Sequence, residues 1–204
     1  ELLRPIQSHH TYRNSCMSKR WLSFVGLIAL VSVTLGYFTL TRGQPWWDDF
    51  AGYLLQAKSI LSWSMADYLR HNTFTIQNSS YPPGPEAYPW GFPLLLAPVY
   101  AIFGLNPLAL KLAGLAFYAV FLVSSAFLAR TRLAEEDALL LTGVLAFAPM
   151  LVAANDQILS DIPFLAFSTI SLVLIDSLPG KKALAGIAAG AAIFMAFFMR
   201  TNGI

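Results

Sequence analysis

The carboxylates of this sequence are few, and three of them stand where group-transfer chemistry could use them. Asp48 and Asp49 are adjacent in TRGQPWWDDFAGYLLQAKSIL, and Asp161 lies in AANDQILSDIPFL. A carboxylate beside an acceptor hydroxyl or amine can take its proton during attack, a role worth typically ~10²–10⁴-fold in rate. Arg200 closes the apolar run that ends in Phe197, Phe198 and Met199. Its planar, permanently charged guanidinium suits a phosphate group. A snorkelling role, with the stem in apolar surroundings and the head at the surface, suits it equally. Each aspartate has a local reading too: Asp at a helix start accepts hydrogen bonds from free backbone N–H groups. Asp161 precedes Ile162 and Pro163, where a helix cap with proline in the first turn is expected. What raises it above a cap is its setting, because carboxylates at membrane depth or at the interface are costly and usually face a cavity.

The first acidic pair sits at the start of a helix with two distinct faces. At 100° per residue, Phe50, Leu54, Ala57 and Leu61 share a narrow apolar face, and Asp49, Tyr53 and Gln56 share a polar one. This is the pattern of a helix lying in a membrane interface, with Trp46 and Trp47 as interfacial aromatics. Asp48 and Asp49 point about 100° apart, so one site cannot use both equally. His9, His10 and His71 lack metal-ligand spacing, and Cys16 is the only cysteine, which excludes an intrachain disulfide framework. The net charge is +2 with scattered basic residues, a balance that gives nucleic acid no surface to bind.

The elements that must position these residues are membrane helices. The sequence is 56% hydrophobic and 12% charged, about half the charge of an ordinary soluble domain. Charge-free stretches run over 21–41, 87–110, 112–129, 138–155, 162–175 and 183–199. A spanning helix needs about 20 mostly apolar residues, and a soluble core cannot hide so many such runs. The chain opens on Glu1 rather than methionine and stops at Ile204, just past an apolar run, which predicts a fragment truncated at its C-terminus.

Basic residues set the orientation. Arg4, Arg13, Lys19 and Arg20 precede the first apolar run, so residues 1–20 form a cytoplasmic tail and 21–40 the first transmembrane helix. The segment GFPLLLAPVYAIF over 91–103 holds Pro93 and Pro98. It reaches only about 20 Å as a helix, against a hydrocarbon core of ~30 Å. If it spanned, Arg130, Arg132, Lys181 and Lys182 would all lie outside, against the positive-inside trend. The reading is therefore a non-spanning segment, an outer loop over 41–106 with two interfacial helices, and four further transmembrane helices within 107–204 (near 107–129, 138–154, 162–178 and 183–199). That parity places Asp48, Asp49, Asp156, Asp161 and Arg200 on one outer face.

In this order and spacing, the motifs resemble the GT-C superfamily of polyprenyl-phosphate-sugar-dependent glycosyltransferases, in particular the protein O-mannosyltransferase and aminoarabinose transferase group. That group carries an aspartate in the first outer loop four residues before an aromatic, and here Asp49 stands four before Tyr53; Asp48 does not fit. The stretch YPPGPEAYPWGFPLLLAPVYAIFGLNPLALKL, with Tyr88, is similar to the group's proline- and aromatic-rich loop, second interfacial helix and FG turn. SDIPF resembles the acidic-proline step that opens a later span, at Asp161, and FFMRTNG a span ending in arginine, at Arg200. One departure stands out: Glu86 is followed by Ala87, Tyr88 and Pro89, without the lysine of an aminoarabinose transferase.

The resemblance implies an all-α, multi-pass transmembrane bundle with an outward-facing site, in a bacterial inner or plasma membrane. It implies inverting transfer of a sugar from a polyprenyl phosphate to a lipid, glycan or protein acceptor. Asp49 is then the general base and Asp161 a second catalytic carboxylate that orients the acceptor. Arg200 faces the lipid phosphate, which needs positive charge more than a proton, and Asp48, Tyr53 and Tyr88 line the substrate. No cofactor is implied, with a divalent cation left open. The competing class is a non-catalytic transporter or flippase-like protein. Such proteins place ionisable residues near the bilayer midplane, whereas the later spans here hold only Lys111 and Asp176, near their ends.

Overall fold

The computed structural model describes residues 18–44, 49–80, 85–176 and 183–200. Asp48, Trp46, Trp47, Cys16, Lys181 and Lys182 lie outside the described residues. Among the described residues the chain is helical and without strands. The elements are α1 (Lys19–Thr39), α2 (Phe50–Leu61), α3 (Met65–Asn78), α4 (Gly91–Phe103), α5 (Pro107–Arg130), α6 (Glu135–Ala146), α7 (Pro149–Asn155), α8 (Asp161–Asp176) and α9 (Ala183–Met199).

Local sequence starts the two long helices. Ser18 caps α1, its Oγ accepting from the Trp21 N–H at 3.1 Å. Asn106 caps α5 by accepting from the Ala109 N–H, with Pro107 in the first turn, where its missing N–H is no loss. The 21 residues of α1 and 24 of α5 give lengths of about 31 and 36 Å. Both are long and apolar enough to cross a membrane. The exposed side of α1 carries Phe24, Leu27, Leu30, Leu35 and Phe38, a surface suited to lipid rather than water.

Polar contacts fix how these helices run. At one end of the bundle, Lys111 near the start of α5 bonds Thr41 and Asp156, just after α1 and α7, and Asp161 at the start of α8 pairs with Arg200 after α9. At the other end, Glu135 at the start of α6 accepts from Ser18 and pairs with Arg130, and Arg132 pairs with Asp176 at the end of α8. Thus α1, α5, the α6–α7 pair, α8 and α9 each connect the two ends. Thr41 and Gly43 after α1 and Asn106 before α5 stand at the same end, on either side of α2, α3 and α4 in the chain.

Two expectations need correction. The apolar run at 138–154 is not one helix: α6 and α7 are bent by 53°. Ala148 is extended, the conformation favoured before proline, and Pro149 offers no N–H to continue α6. The carbonyl of Ala146 freed by the break accepts from Ser32 Oγ at 2.7 Å and from Tyr118 Oη at 2.8 Å. The bend is therefore fastened to both α1 and α5. The second correction concerns residues 41–106, whose described residues hold three helices rather than two. The extra one, α3, buries none of its residues and follows a turn in which Trp63 takes a left-handed conformation, φ 54°.

The remaining packing sets the floor of the site. Ala189, Ala192 and Ala196 bring α9 close against α8. Small residues let two helix backbones approach closely. Leu54, Ala57, Phe92, Leu96, Leu110, Ile158 and Met199 form one buried cluster that unites α2, α4, α5, α9 and the turn before α8.

Candidate functional site

The site is assembled around one face of α2. Asp49, Gly52, Tyr53 and Gln56 recur at helical spacing, and all four meet the segment 85–90. Gln56 Nε2 donates to the Tyr88 carbonyl and the Tyr88 N–H donates to Gln56 Oε1, both at 2.9 Å. Tyr88 Oη then donates to Asp49 Oδ1 at 2.8 Å. The Tyr53 and Tyr88 rings lie 4.9 Å apart between centroids. Gly52 makes room for this: a Cβ there would lie 2.5 Å from a Tyr88 ring carbon.

This polar face is turned inward. Tyr53 is 4% exposed and Gln56 is fully buried, while Leu55 and Leu61 are exposed. A buried amide must have partners, and the Tyr88 backbone supplies both. Asp49 precedes α2 yet makes no side-chain cap bond; its carboxylate goes to Tyr88 instead.

The second half of the site comes from α8 and α9. Tyr53 Oη and Ser160 Oγ share a hydrogen bond of 3.1 Å. Asp161 is the first residue of α8, and its carboxylate accepts from Arg200 Nη1 in a salt bridge. Gly91 lets α4 close on the last turn of α9: a Cβ there would lie 2.5 Å from the Phe198 carbonyl oxygen. No side chain larger than hydrogen fits without moving the turn that carries Arg200.

Between these halves lies a cleft of about 440 Å³ lined by Asp49, Tyr53, Ala87, Tyr88, Trp90 and Arg200. Both phenols stay protonated well beyond neutral pH. Burial raises the Tyr88 pKa, and its bond to Asp49 and that residue's charge raise it further. Burial also raises that of Tyr53, with Asp49 and Asp161 adding to the rise and Ser160 and Arg200 opposing it. The cleft thus presents one carboxylate, one guanidinium and two neutral hydroxyls. That set can accept a proton, hold an anion and orient hydroxyl groups.

Of the residues singled out from the sequence, Asp49, Tyr53, Tyr88 and Arg200 line this cleft, and Asp161 stands behind Arg200. Asp48 lies outside the described residues. Gly52, Trp90, Gly91 and Ser160 were not singled out, and Gln56 was placed on the polar face without a role. Gln56 carried a signal, standing seven residues after Asp49 on the same face. The two glycines carried none, since only the approach of a distant segment gives them meaning.

A second polar cluster at the same end is structural. Lys111 is fully buried, and its Nζ donates to Asp156 Oδ1 at 2.7 Å and to the Thr41 carbonyl at 3.2 Å. Burial tends to raise the Asp156 pKa, but hydrogen bonds from Lys111 and Thr41 outweigh it and hold the carboxyl below its ordinary value. Among the described residues, no three His, Cys, Asp or Glu side chains are grouped to hold a metal ion. No family model matches the chain, and neither a curated protein nor a solved structure matches it.

Proposed function

We propose that this chain forms the membrane-embedded site of an inverting glycosyltransferase that takes its sugar from a polyprenyl phosphate. The carrying observation is that Asp49 and Arg200, distant in sequence, line one cleft at the end of a helical bundle. On this reading α1, α5, α6–α7, α8 and α9 are five crossings, and 41–106 lies on the outer face. The acceptor is a lipid, glycan or protein hydroxyl or amine.

Asp49 takes the acceptor proton as its oxygen or nitrogen attacks the anomeric carbon. The bond from that carbon to the lipid phosphate breaks on the opposite side, and the configuration inverts. The departing phosphate is a stable anion, so it needs a cation where its charge grows, and Arg200 supplies one. Support for a lipid donor comes from an apolar hollow of about 680 Å³ between α8 and α9, lined by Phe164, Leu172, Ile193, Phe194 and Phe197. Phe164 stands three residues after Asp161 and Phe197 three before Arg200, so the hollow begins beside the charged pair.

The test is transfer of labelled sugar from a lipid donor in membranes carrying the full-length protein. Asp49→Asn lowers transfer at least ~10²-fold with expression unchanged. Near-normal transfer by that variant removes Asp49 from the role of base.

A further inference from the structure

Four residues of one helix face are spent on a single residue. Asp49 accepts the Tyr88 hydroxyl, Gly52 leaves a gap that its ring fills, Tyr53 lies against that ring, and Gln56 grips its backbone N–H and C=O. The spacing 49, 52, 53, 56 is one helical stripe. A loop that merely covered α2 would not need a bidentate amide, a glycine gap and a hydroxyl–carboxylate bond aligned on one tyrosine.

We propose that Tyr88 is a positioning residue for Asp49, held in place by the Gly52–Gln56 cradle so that one carboxylate oxygen is tied and the carboxylate plane is fixed. The inference rests on the reading of Asp49 as base. A carboxylate free to rotate about its side-chain torsions would spend only part of its time aimed at an acceptor. Preorganised placement of reacting groups supplies much of the rate advantage of a bound geometry. A phenol suits this task because it remains a neutral donor at every physiological pH. Its ring spans the distance from the Gln56 level of α2 back to Asp49, which a serine or asparagine could not.

Other groups near Asp49 do not replace it. Arg200 after α9 is engaged by Asp161 of α8, Tyr53 of α2 bonds Ser160, and Tyr68 of α3 packs edge-on against Trp90. Glu86, on the same segment as Tyr88, has its carbonyl bonded by Asn72.

The experiment uses the full-length protein in nanodiscs, with two readouts. In transfer assays, Tyr88→Phe lowers kcat about tenfold and leaves the donor KM within about twofold, the loss of one hydrogen bond to a charged group. Gly52→Ala, which pushes the ring off Asp49, gives a similar fall, and the double variant falls no further than either single one. Tyr88→Phe with wild-type kcat, or additive losses in the double variant, overturns the proposal. The second readout does not depend on catalysis: the Cζ resonance of ¹³C-labelled tyrosine, assigned by its loss in Tyr88→Phe, moves in Asp49→Asn. An unmoved resonance overturns the contact itself. If the wild-type protein transfers no sugar while the resonance moves as expected, the base reading of Asp49 fails and the contact stands.

Discussion

Arg200, immediately after α9, reaches Asp161 at the start of α8, joining the ends of an antiparallel helix pair through residues 39 positions apart. Both side chains are more than a third exposed, 39% and 44%, so water screens the pair. Its net contribution to stability is under about 1 kcal/mol. The pairing instead fixes where the guanidinium stands at the cleft.

Separate effects on rate and stability follow from that exposure. On the proposed function, Arg200→Ala is expected to lower sugar transfer about 10²-fold in the full-length protein, the scale of removing one electrostatic stabiliser of a leaving group, while the thermal midpoint barely moves. Arg200→Lys recovers little, because a lysine ammonium cannot present two parallel donors to a phosphate. A large fall in midpoint with either variant means that Arg200 pins the helices and that its effect on rate is indirect.

The shared end of 42–106 makes a topological prediction. In a Cys16→Ser background, single cysteines replace Gly43, Leu105 and Thr131, all of them exposed. Cysteines at 43 and 105 react together with an impermeant maleimide applied outside the cell, and that at 131 reacts only after permeabilisation. Labelling of 131 from outside inverts the arrangement. Labelling of 43 and 105 from opposite sides means that α4 crosses the membrane.

What could be read in advance, and what could not, divides along contact range. The helical period alone places Asp49, Tyr53 and Gln56 on one face, and the Asn106-Pro107 cap marks the start of α5 to the residue. Which way the α2 face looks was not readable. It depends on Tyr88, 32 positions from Gln56, and a polar stripe is satisfied equally by water or by a buried amide pair. The partner of Asp161 was unreadable for the same reason. The local signal before Pro163 is that of a cap, and the guanidinium that its carboxylate meets lies 39 positions on. The break at Pro149 was visible in type but averaged away, because an apolar run reads as continuous whether or not proline bends it. Helix α3 left no such run: MADYLRHNTFTIQN is polar over most of its length, and nothing in it is buried.

The Lys111–Asp156 pair yields the last prediction, in which stability depends on pH. Lys111 is fully buried, whereas the Asp156 side chain is 26% exposed, so the two partners are not equivalent. Asp156→Asn leaves a buried ammonium with neutral acceptors alone, and costs about 3 kcal/mol at pH 7, the low end for breaking a buried pair. Lys111→Met costs less, since Asp156 keeps its bonds from the Thr41 N–H and Oγ1 and still reaches water. The Asp156 pKa is lowered in the folded protein from an ordinary 3.8. Its stabilisation is therefore fully present above that value and is lost as pH falls through the lower folded one. The gap in thermal unfolding between wild type and Asp156→Asn in nanodiscs should be constant from neutral pH down to about pH 4, near the unfolded carboxyl value, and should close only as pH falls further, through the lower folded one. A gap that stays constant below that point as well would mean that the shape of the side chain, and not its charge, joins α1, α5 and α7 at this end of the bundle.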